Sequence, residues 1–330
     1  MAGFDLITIG AATIDAFVWS KAFRLVKSRA FSTGVGECLS LGSKIEIDKF
    51  VLGTGGGGTN SAATFANLGF KTACLTAVGD DLFGQGVLGD LKTRRVASVL
   101  VQRIPGGQTA FSTILVVPSG ERTILVSRGV AEHLSEKMLP RRFSAKWIYM
   151  TSLGGNLKFG RKIFSQAKKS GTSIFWNPGA KDLVLGAGRL KPFLKQVEVL
   201  DMNREEAMKL TGRPLGDLAG MLRDLDKIGS RLVLLTDGEK GAYLSEGGQL
   251  WRAHTHRHIK VVNKTGAGDA FGSGFLAGLI KYRDRTRALQ LGVLNSESVI
   301  QKIGAKTGLL TNWPSKNKLA GVKVTAVAKS

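Results

Sequence analysis

Short apolar runs and amphipathic stretches alternate along almost the whole chain. Apolar runs typical of buried strands occur at residues 6–10, 72–78, 147–150, 173–176, 197–200 and 232–236. Helical spacing of apolar positions predicts helices that begin at or just after Asn60, Phe83, Lys158, Arg204, Gly268 and Asp284. This alternation indicates βαβ units, and therefore an α/β fold with a mostly parallel central sheet and helices on both faces.

Two stretches, at about residues 16–50 and 98–127, interrupt this rhythm with short alternating patterns typical of β-strands. Residues 110–117 and 122–127 flank a turn at Pro118-Ser119-Gly120. We expect these stretches to form a small separate sheet over one edge of a single domain that spans residues 1–330. The tail at 311–330 is basic and polar, and its structure is left open.

Cysteine content and the N-terminus indicate the cellular compartment. Cys38 and Cys74 lie far apart and form no CxxC motif, which argues against a disulfide scaffold or a cysteine-based zinc site. The N-terminus has no basic segment before its first apolar stretch, so we expect no ordinary signal peptide. No window approaches the roughly 18 apolar residues that a membrane span needs. These features predict a cytoplasmic protein without membrane partners.

The net charge is strongly positive, because 47 Lys and Arg residues face 25 Asp and Glu residues, giving +22. Such a charge attracts polyanions, including nucleic acids and ATP. The basic residues are scattered, however, and neither zinc-finger spacing nor an aromatic RNA-binding strand accompanies them. We therefore expect no specific recognition of nucleic acid.

The most informative segment has the sequence Val-Val-Asn-Lys-Thr-Gly-Ala-Gly-Asp-Ala-Phe. Residues 261–262 are predicted to end a strand, which places Gly266, Ala267 and Gly268 at the N-terminus of the next helix. Unpaired backbone N–H groups there can bind a phosphate, and glycine allows close approach. Asp269 could accept the proton of an attacking hydroxyl. The alternative is an ordinary first-turn acid that stabilises the helix dipole by about 0.3–1 kcal/mol.

The run from Thr265 to Phe271 resembles the C-terminal signature of the ribokinase-like, or PfkB-type, carbohydrate kinases, and further segments match that family over about residues 4–310. The resemblance implies a ribokinase-like fold in which the small sheet is a lid over the sugar site and often a homodimer contact. It also implies an ATP- and Mg²⁺-dependent kinase that phosphorylates a primary hydroxyl. Asp269 would be the base, residues 266–268 the anion hole, and Thr265 a nucleotide contact.

Two segments are expected to bind the phosphoryl acceptor. The glycine run before Asn60 lacks the Lys-Ser/Thr of a Walker A loop, and alone it would be interpreted as a flexible turn capped by Asn60. Asp15 follows the first strand, near the edge where open α/β sheets bind ligands, although a loop aspartate is the default interpretation. The resemblance implies that Gly56, Gly57, Asn60 and Asp15 bind the sugar.

Three segments are expected to serve the nucleotide. Asn203 and Glu206 have the spacing of a capping box, and the resemblance adds a role with phosphate and, through water, with Mg²⁺. Thr236 and Gly238 lie in a predicted hairpin turn that resembles the nucleotide loop of the family. Asn295 matches a position that lines the adenine pocket, although helix packing is an equal alternative.

The chain departs from the family pattern at Asn263-Lys264, where members usually have Asp-Thr. In several members that aspartate helps to hold a monovalent cation beside the anion hole. Asn263 keeps a carbonyl oxygen but loses the charge, which puts K⁺ activation in doubt. We hypothesise that the charge of Lys264 partly replaces that of the cation.

The sequence thus predicts a sugar kinase, with two alternatives. A nucleoside kinase would need an apolar or aromatic slot for the base under the lid. A protein that kept the fold and lost catalysis, sensing a sugar or binding nucleic acid, would fit the positive charge and the altered Asn263-Lys264. The complete anion segment with Asp269 argues against that last alternative.

Overall fold

The computed structural model describes residues 3–31, 34–117 and 121–327. The strands are β1 (Phe4–Ile9), β2 (Thr13–Trp19), β3 (Arg24–Lys27), β4 (Val35–Cys38), β5 (Lys49–Gly55), β6 (Thr72–Gly79), β7 (Val101–Ile104), β8 (Ala110–Val116), β9 (Arg122–Ser127), β10 (Ala145–Met150), β11 (Ser173–Trp176), β12 (Val199–Asn203), β13 (Leu232–Thr236), β14 (Ala242–Glu246), β15 (Gln249–Ala253) and β16 (Val324–Val327). The helices are α1 (Gly57–Asn67), α2 (Leu82–Thr93), α3 (Leu157–Ser170), α4 (Ala180–Leu183), α5 (Gly186–Leu194), α6 (Arg204–Thr211), α7 (Leu218–Ile228), α8 (Ala267–Tyr282), α9 (Arg285–Ile300) and α10 (Lys316–Gly321).

The main sheet has the strand order β16-β15-β14-β13-β12-β11-β10-β1-β6-β7. Pairing is parallel from β13 through β7 and antiparallel from β13 to β16. Every residue of β6 is buried, as expected for a parallel strand covered on both faces. The predicted α/β fold with a mostly parallel central sheet is confirmed.

Helices cover both faces of the main sheet and create two large hydrophobic clusters. One contains side chains of α3, α5, α6 and α7, and the other contains side chains of α8 and α9. In the second cluster, Tyr149 of β10 stacks on Phe175 of β11 with ring centroids 4.4 Å apart. These packed layers hold the carboxyl ends of the parallel strands in fixed positions.

A second sheet, which we call the lid sheet, has the order β5-β2-β8-β9, and β3 and β4 form a separate hairpin. The predicted small sheet therefore exists, but two of its expected boundaries differ. Strand β7 pairs with β6 in the main sheet, although it lies within residues 98–127. Strand β2 begins at Thr13, before residue 16. The turn predicted at residues 118–120 lies outside the described residues.

Two further segments differ from the pattern in the sequence. Residues 261–262 are not in a strand, because the N–H groups of Val262 and Asn263 both donate to the carbonyl of Ile300 instead of to a neighbouring strand. The tail forms α10 and then β16, which extends the main sheet by pairing with β15. Among the described residues, no helix combines the length and apolarity needed to cross a bilayer.

Candidate active site

The segment predicted to bind phosphate, residues 266–268, forms the first turn of α8 and is called the anion loop below. Gly266 caps the helix with φ of 81°, a left-handed conformation, and a Cβ there would lie 2.7 Å from the Cβ of Ala305. A Cβ on Gly268 would meet no atom of the described residues within 4 Å. The Ala267 N–H donates to the Lys264 carbonyl at 3.3 Å, whereas the space beside Gly268 is open, so a phosphate can approach the positive end of the helix dipole there.

The side chain of Asp269 lies beside this loop and contacts the glycine segment of α1. Asn60 Nδ2 donates to Asp269 Oδ2 at 2.8 Å, although the two residues are 209 positions apart. Burial raises the pKa of Asp269, while the bond from Asn60 and the charge of Lys306 lower it and the charge of Asp15 raises it. A carboxylate with a raised pKa is better suited to accept a hydroxyl proton near neutral pH.

The side-chain oxygen of Asn60 lacks a hydrogen-bond donor. It is only 4% exposed, and its Oδ1 has no hydrogen-bond partner among the described residues. A buried amide oxygen without a donor costs free energy unless a ligand or water supplies one. A hydroxyl group of a bound acceptor could supply that donor. Asn60 could then form hydrogen bonds both to Asp269 and to the acceptor.

Asp15 lies in β2, opposite Ser112 of β8 and Gly53 of β5. Its Oδ1 accepts a 3.0 Å hydrogen bond from Thr13 Oγ1. The carboxyl group is buried, which raises its pKa, whereas hydrogen bonds from Thr13 and Ser112 lower it. The charge of Asp15 contributes to the raised pKa of Asp269. The structure thus brings together three residues expected to contact the acceptor or its hydroxyl: Asp15, Asn60 and Asp269.

The glycine segment before Asn60 is closely packed instead of flexible. Gly56 has φ of 90°, and a Cβ there would lie 2.4 Å from the carbonyl oxygen of Ala11. A Cβ on Gly57 would lie 2.9 Å from the side chain of Thr151. Larger residues would therefore push α1 away from the ends of β1 and β10, and with it the amide of Asn60.

On the other side of Asp269, Asn203 and Glu206 form the expected capping box. Asn203 Oδ1 accepts from the Glu206 N–H at 2.9 Å, and Glu206 Oε2 accepts from the Asn203 N–H at 2.8 Å. Burial is the largest cause of a raised pKa at Glu206, and the charge of Asp269 contributes. Asn203 and Glu206 therefore have the capping role predicted from the sequence, and the charge of Asp269 acts on Glu206.

Asp201, which the sequence did not indicate, lies in the same region. It is 3% exposed, and its Oδ1 has no hydrogen-bond partner among the described residues. Burial and the charges of Glu206 and Asp269 raise its pKa well above the usual range. Among the described residues, no group of three or more His, Cys, Asp or Glu side chains could hold a metal ion. A magnesium ion here would therefore be held mainly by phosphate oxygens and water, with Glu206 contributing through water.

An open cavity of about 590 Å³ lies beside the predicted nucleotide loop. Thr236 and Gly238 line it together with Ala267 and Gly268 of the anion loop. In the sheet, Asn203 is paired with Thr236 across β12 and β13, which connects the cavity to the capping box. The predicted nucleotide loop and the anion loop thus face the same space. Further lining residues are His256, Lys264, Phe271, Val293, Ser296 and Glu297.

Asn295 does not line this cavity, so the sequence-based assignment to an adenine pocket is not supported by its position. The side chain is fully buried, and Nδ2 donates to the Ala270 carbonyl at 2.8 Å and to Thr64 Oγ1 at 3.2 Å. Its Oδ1 accepts from the Leu310 N–H at 3.0 Å. Helical periodicity explains the difference, because Val293, Ser296 and Glu297 occupy the face of α9 that borders the cavity.

The segment that departs from the family pattern is divided between the interior and the cavity. Asn263 is buried, and its Oδ1 accepts a 2.7 Å hydrogen bond from the Thr265 N–H. Thr265 Oγ1 has no partner among the described residues. Lys264 is exposed and borders the nucleotide cavity. Its charge is therefore placed to act on a bound nucleotide.

Comparisons with known proteins agree with this geometry. The model of the pfkB family of carbohydrate kinases matches residues 31–312. The chain is 26% identical to the ribokinase of Haemophilus influenzae over 82% of this chain and 88% of that protein. It is 27% identical to the cytidine kinase of Thermococcus kodakarensis over 91% and 97%. The structure of Arabidopsis thaliana ribokinase complexed with ribose and ATP superimposes with a TM-score of 0.76 at 20% identity, covering 97% of this chain and 98% of that one.

Proposed function

Because the chain belongs to the PfkB family of carbohydrate kinases, we propose that it transfers the γ-phosphoryl group of ATP to a primary hydroxyl of a sugar. Members of this family are ATP-dependent kinases with a hydroxyl acceptor. The observation that carries the proposal is the hydrogen bond between Asn60 and Asp269 beside the anion loop, where the charge of Asp15 also acts on Asp269.

In the proposed reaction, Asp15 and Asn60 hold the hydroxyl groups of the acceptor. Asp269 accepts the proton of the reacting hydroxyl while its oxygen attacks the γ-phosphorus. The bond between the γ-phosphorus and the oxygen that bridges to the β-phosphate breaks, and ADP leaves. The N–H groups of the anion loop stabilise the negative charge on the transferring phosphoryl group.

Glu206 would help to hold Mg²⁺ close to the phosphates through water. When bound, the ion supplies positive charge that neutralises the phosphate oxygens. Asn203 fixes Glu206 through the capping box, and Thr236 and Gly238 present the nucleotide loop to ATP. These assignments rest on the hydrogen bonds of the capping box and on the residues that line the cavity.

Ser112 of β8 lies level with Asp15 at the proposed sugar site. Ser112 lies in register with Asp15 and contributes a hydrogen bond to it. Phe111 points to the opposite face of the lid sheet, because side chains alternate along a strand, and it stacks on Phe83 with centroids 5.1 Å apart. At the level of Asp15, β8 therefore presents a small polar group to the acceptor, whereas Phe17 and Ile114, two residues further along on the same face, are apolar.

The test is ADP release with Mg²⁺-ATP and a panel of sugars and nucleosides, for the wild type, Asp269→Asn and a control. The control is Asp284→Asn, which keeps an N-cap residue at the exposed start of α9. We expect turnover with a sugar that falls by about 10²–10⁴-fold in Asp269→Asn and persists in the control. Turnover only with nucleosides would select the alternative acceptor, and no turnover with any acceptor would contradict the proposal.

The hypothesis about Lys264 can be tested with the same assay. Because its side chain borders the nucleotide cavity, its charge is available to the phosphates of ATP without a monovalent cation. We expect Lys264→Thr to depend more strongly on K⁺ than the wild type does. Equal dependence in the two proteins would contradict the hypothesis.

We also propose that the lid sheet forms a homodimer contact. Leu52 and Leu125 lie on the face opposite Asp15, according to the strand register, and are 52% and 56% exposed. Phe50, on the same face as Leu52, is 56% exposed. An apolar face of this kind is typical of an interaction surface. Light scattering should give a dimer for the wild type and a monomer for Leu52→Lys, whereas a monomeric wild type would contradict the proposal.

A further inference from the structure

Lys306 is a buried cation next to the anion loop. The residue is 4% exposed, and it follows Ala305, whose Cβ limits the space at Gly266. The chain that leaves α9 therefore packs against the first turn of α8, and the next side chain enters the interior. Lysine is almost never buried to this extent unless it is paired, since removing an ammonium from water costs several kcal/mol.

The ammonium of Lys306 contacts the lid sheet and α2. Its Nζ donates to Thr54 Oγ1 at 2.8 Å and to Asp90 Oδ2 at 3.0 Å, and Thr54 Oγ1 donates to the same Asp90 oxygen at 2.7 Å. Thr54 is paired with Ile14 in the lid sheet, one residue from Asp15. This hydrogen-bonded group thus connects three separate segments around the acceptor region.

Asp90 does not neutralise Lys306 alone, because it also accepts a 2.8 Å hydrogen bond from Arg94 Nε. One carboxylate is thus shared by two cations on the α2 side. The charge of Lys306 also lowers the pKa of Asp15 in β2 and of Asp269 in α8, and the thiol of Cys74 in β6 affects the pKa of the lysine. Two cations and three carboxylates therefore form one electrostatic group inside the protein.

The effect on the two acceptor-side carboxylates follows from the signs of these charges. Burial raises the pKa of both Asp15 and Asp269, and the Lys306 charge lowers each of them. Burial lowers the pKa of Lys306, whereas Asp90 raises it. Without the lysine, two carboxylates that repel one another would be desolvated together, and protonation would relieve that repulsion.

We propose that Lys306 is a positioning residue for phosphoryl transfer, which keeps Asp15 and Asp269 anionic and ties β5 and α2 to the anion loop. The catalytic part of this inference rests on the proposed function. Lys306 does not itself need to contact the acceptor. Its charge acts through Asp15, which binds the acceptor, and through Asp269, which must be ionised to accept a proton.

The experiment is a ¹³C NMR titration of protein labelled at the aspartate carboxyl carbons. The wild type is compared with Lys306→Gln and Lys306→Met, and with Lys306→Arg as the variant that retains the charge. Spectra of Asp15→Asn and Asp269→Asn assign the two signals. Lys302→Gln is the matched control, since Lys302 is an exposed lysine of the same segment.

We expect the pKa of Asp15 and Asp269 to rise in the two neutral variants and to stay near the wild-type value in Lys306→Arg and Lys302→Gln. The acid limb of acceptor-dependent turnover should move to higher pH in the same variants. Unchanged titrations, or a changed titration with an unchanged acid limb, would overturn the inference. Folding that is lost in both neutral variants and retained in Lys306→Arg would also overturn it, because the lysine would then serve stability.

The NMR measurement also separates this inference from the proposed function. A carboxylate titration that depends on Lys306, in a protein without turnover, would support the electrostatic role and contradict the kinase assignment. If turnover disappears in Asp269→Asn but the Lys306 variants leave the carboxylate titrations unchanged, the kinase assignment is supported. Lys306 then has no electrostatic role in the reaction.

Discussion

The acceptor side and the nucleotide side of the anion loop are built from different kinds of groups. On the acceptor side, Asp15, Asn60, Asp269 and Lys306 come from four separate segments and pack together as charged or polar side chains. On the nucleotide side, loops and the first turn of α8 surround an open cavity of about 590 Å³. The first region depends on long-range side-chain contacts, and the second depends mainly on backbone shape.

This difference indicates how each region achieves its task. A proton acceptor needs a defined ionisation state, which burial, neighbouring charges and hydrogen bonds set. A nucleotide needs N–H groups and space, which a helix N-terminus and glycine provide without specific side chains. Substitutions on the acceptor side should therefore change catalysis, and substitutions on the nucleotide side should change mainly the KM for ATP.

The largest effect among the variants that probe this comparison is expected for Asp15→Asn. Its carboxylate would accept hydrogen bonds from acceptor hydroxyls, and a hydrogen bond to a charged group is worth about 1.5–3 kcal/mol. We expect kcat/KM for the acceptor to fall by about 10–150-fold, with little change in the KM for ATP. Steady-state kinetics with each substrate varied in turn would measure both values.

A control on the nucleotide side sharpens this prediction. Asp237→Asn removes a carboxylate on the nucleotide side, where Asp237 pairs with Arg204 at 2.6 Å. It should change the KM for ATP more than the KM for the acceptor. If Asp15→Asn altered the KM for ATP as strongly as kcat/KM for the acceptor, the separation between the two sides of the loop would be wrong.

A smaller effect, on stability instead of catalysis, is expected for Asn295→Ala. Removing this amide leaves the Leu310 N–H and the Ala270 carbonyl without their buried partner, which costs about 1–3 kcal/mol. Chemical denaturation should show this loss while the KM for ATP stays unchanged. Ser296→Ala, on the face of α9 that borders the cavity, is the comparison. A large increase in the KM for ATP in Asn295→Ala would restore the nucleotide role expected from the sequence.

The sequence predicted the parts of the molecule in which local pattern determines structure. Parallel strands are apolar runs, and the anion loop is a glycine motif before a helix, so both can be recognised without knowing the fold. Lys306 and Asp201 could not be found in this way, because their surroundings are assembled from distant segments. For Asn295, the resemblance to the family gave a position in a helix but not the face to which the side chain points, so the choice between the adenine pocket and helix packing needed the structure.

The smallest effect, and the one that isolates backbone shape, is expected for alanine at the two glycines of the anion loop. Gly268 lies within the first turn of α8, and a Cβ there enters space that a phosphate would occupy. Gly268→Ala should therefore raise the KM for ATP while stabilising the free protein by about 0.4–1 kcal/mol, since alanine restricts the unfolded chain.

Gly266→Ala is the matched contrast. At φ of 81° and 2.7 Å from Ala305, the new methyl group should destabilise the protein, because a left-handed conformation alone costs a non-glycine residue about 1–2 kcal/mol. Thermal melting would measure the stability of both variants with and without ATP, and steady-state kinetics would measure their KM for ATP. If Gly268→Ala kept the wild-type KM for ATP, the phosphate would not approach this turn, and the nucleotide side would have to bind it through side chains such as Lys264.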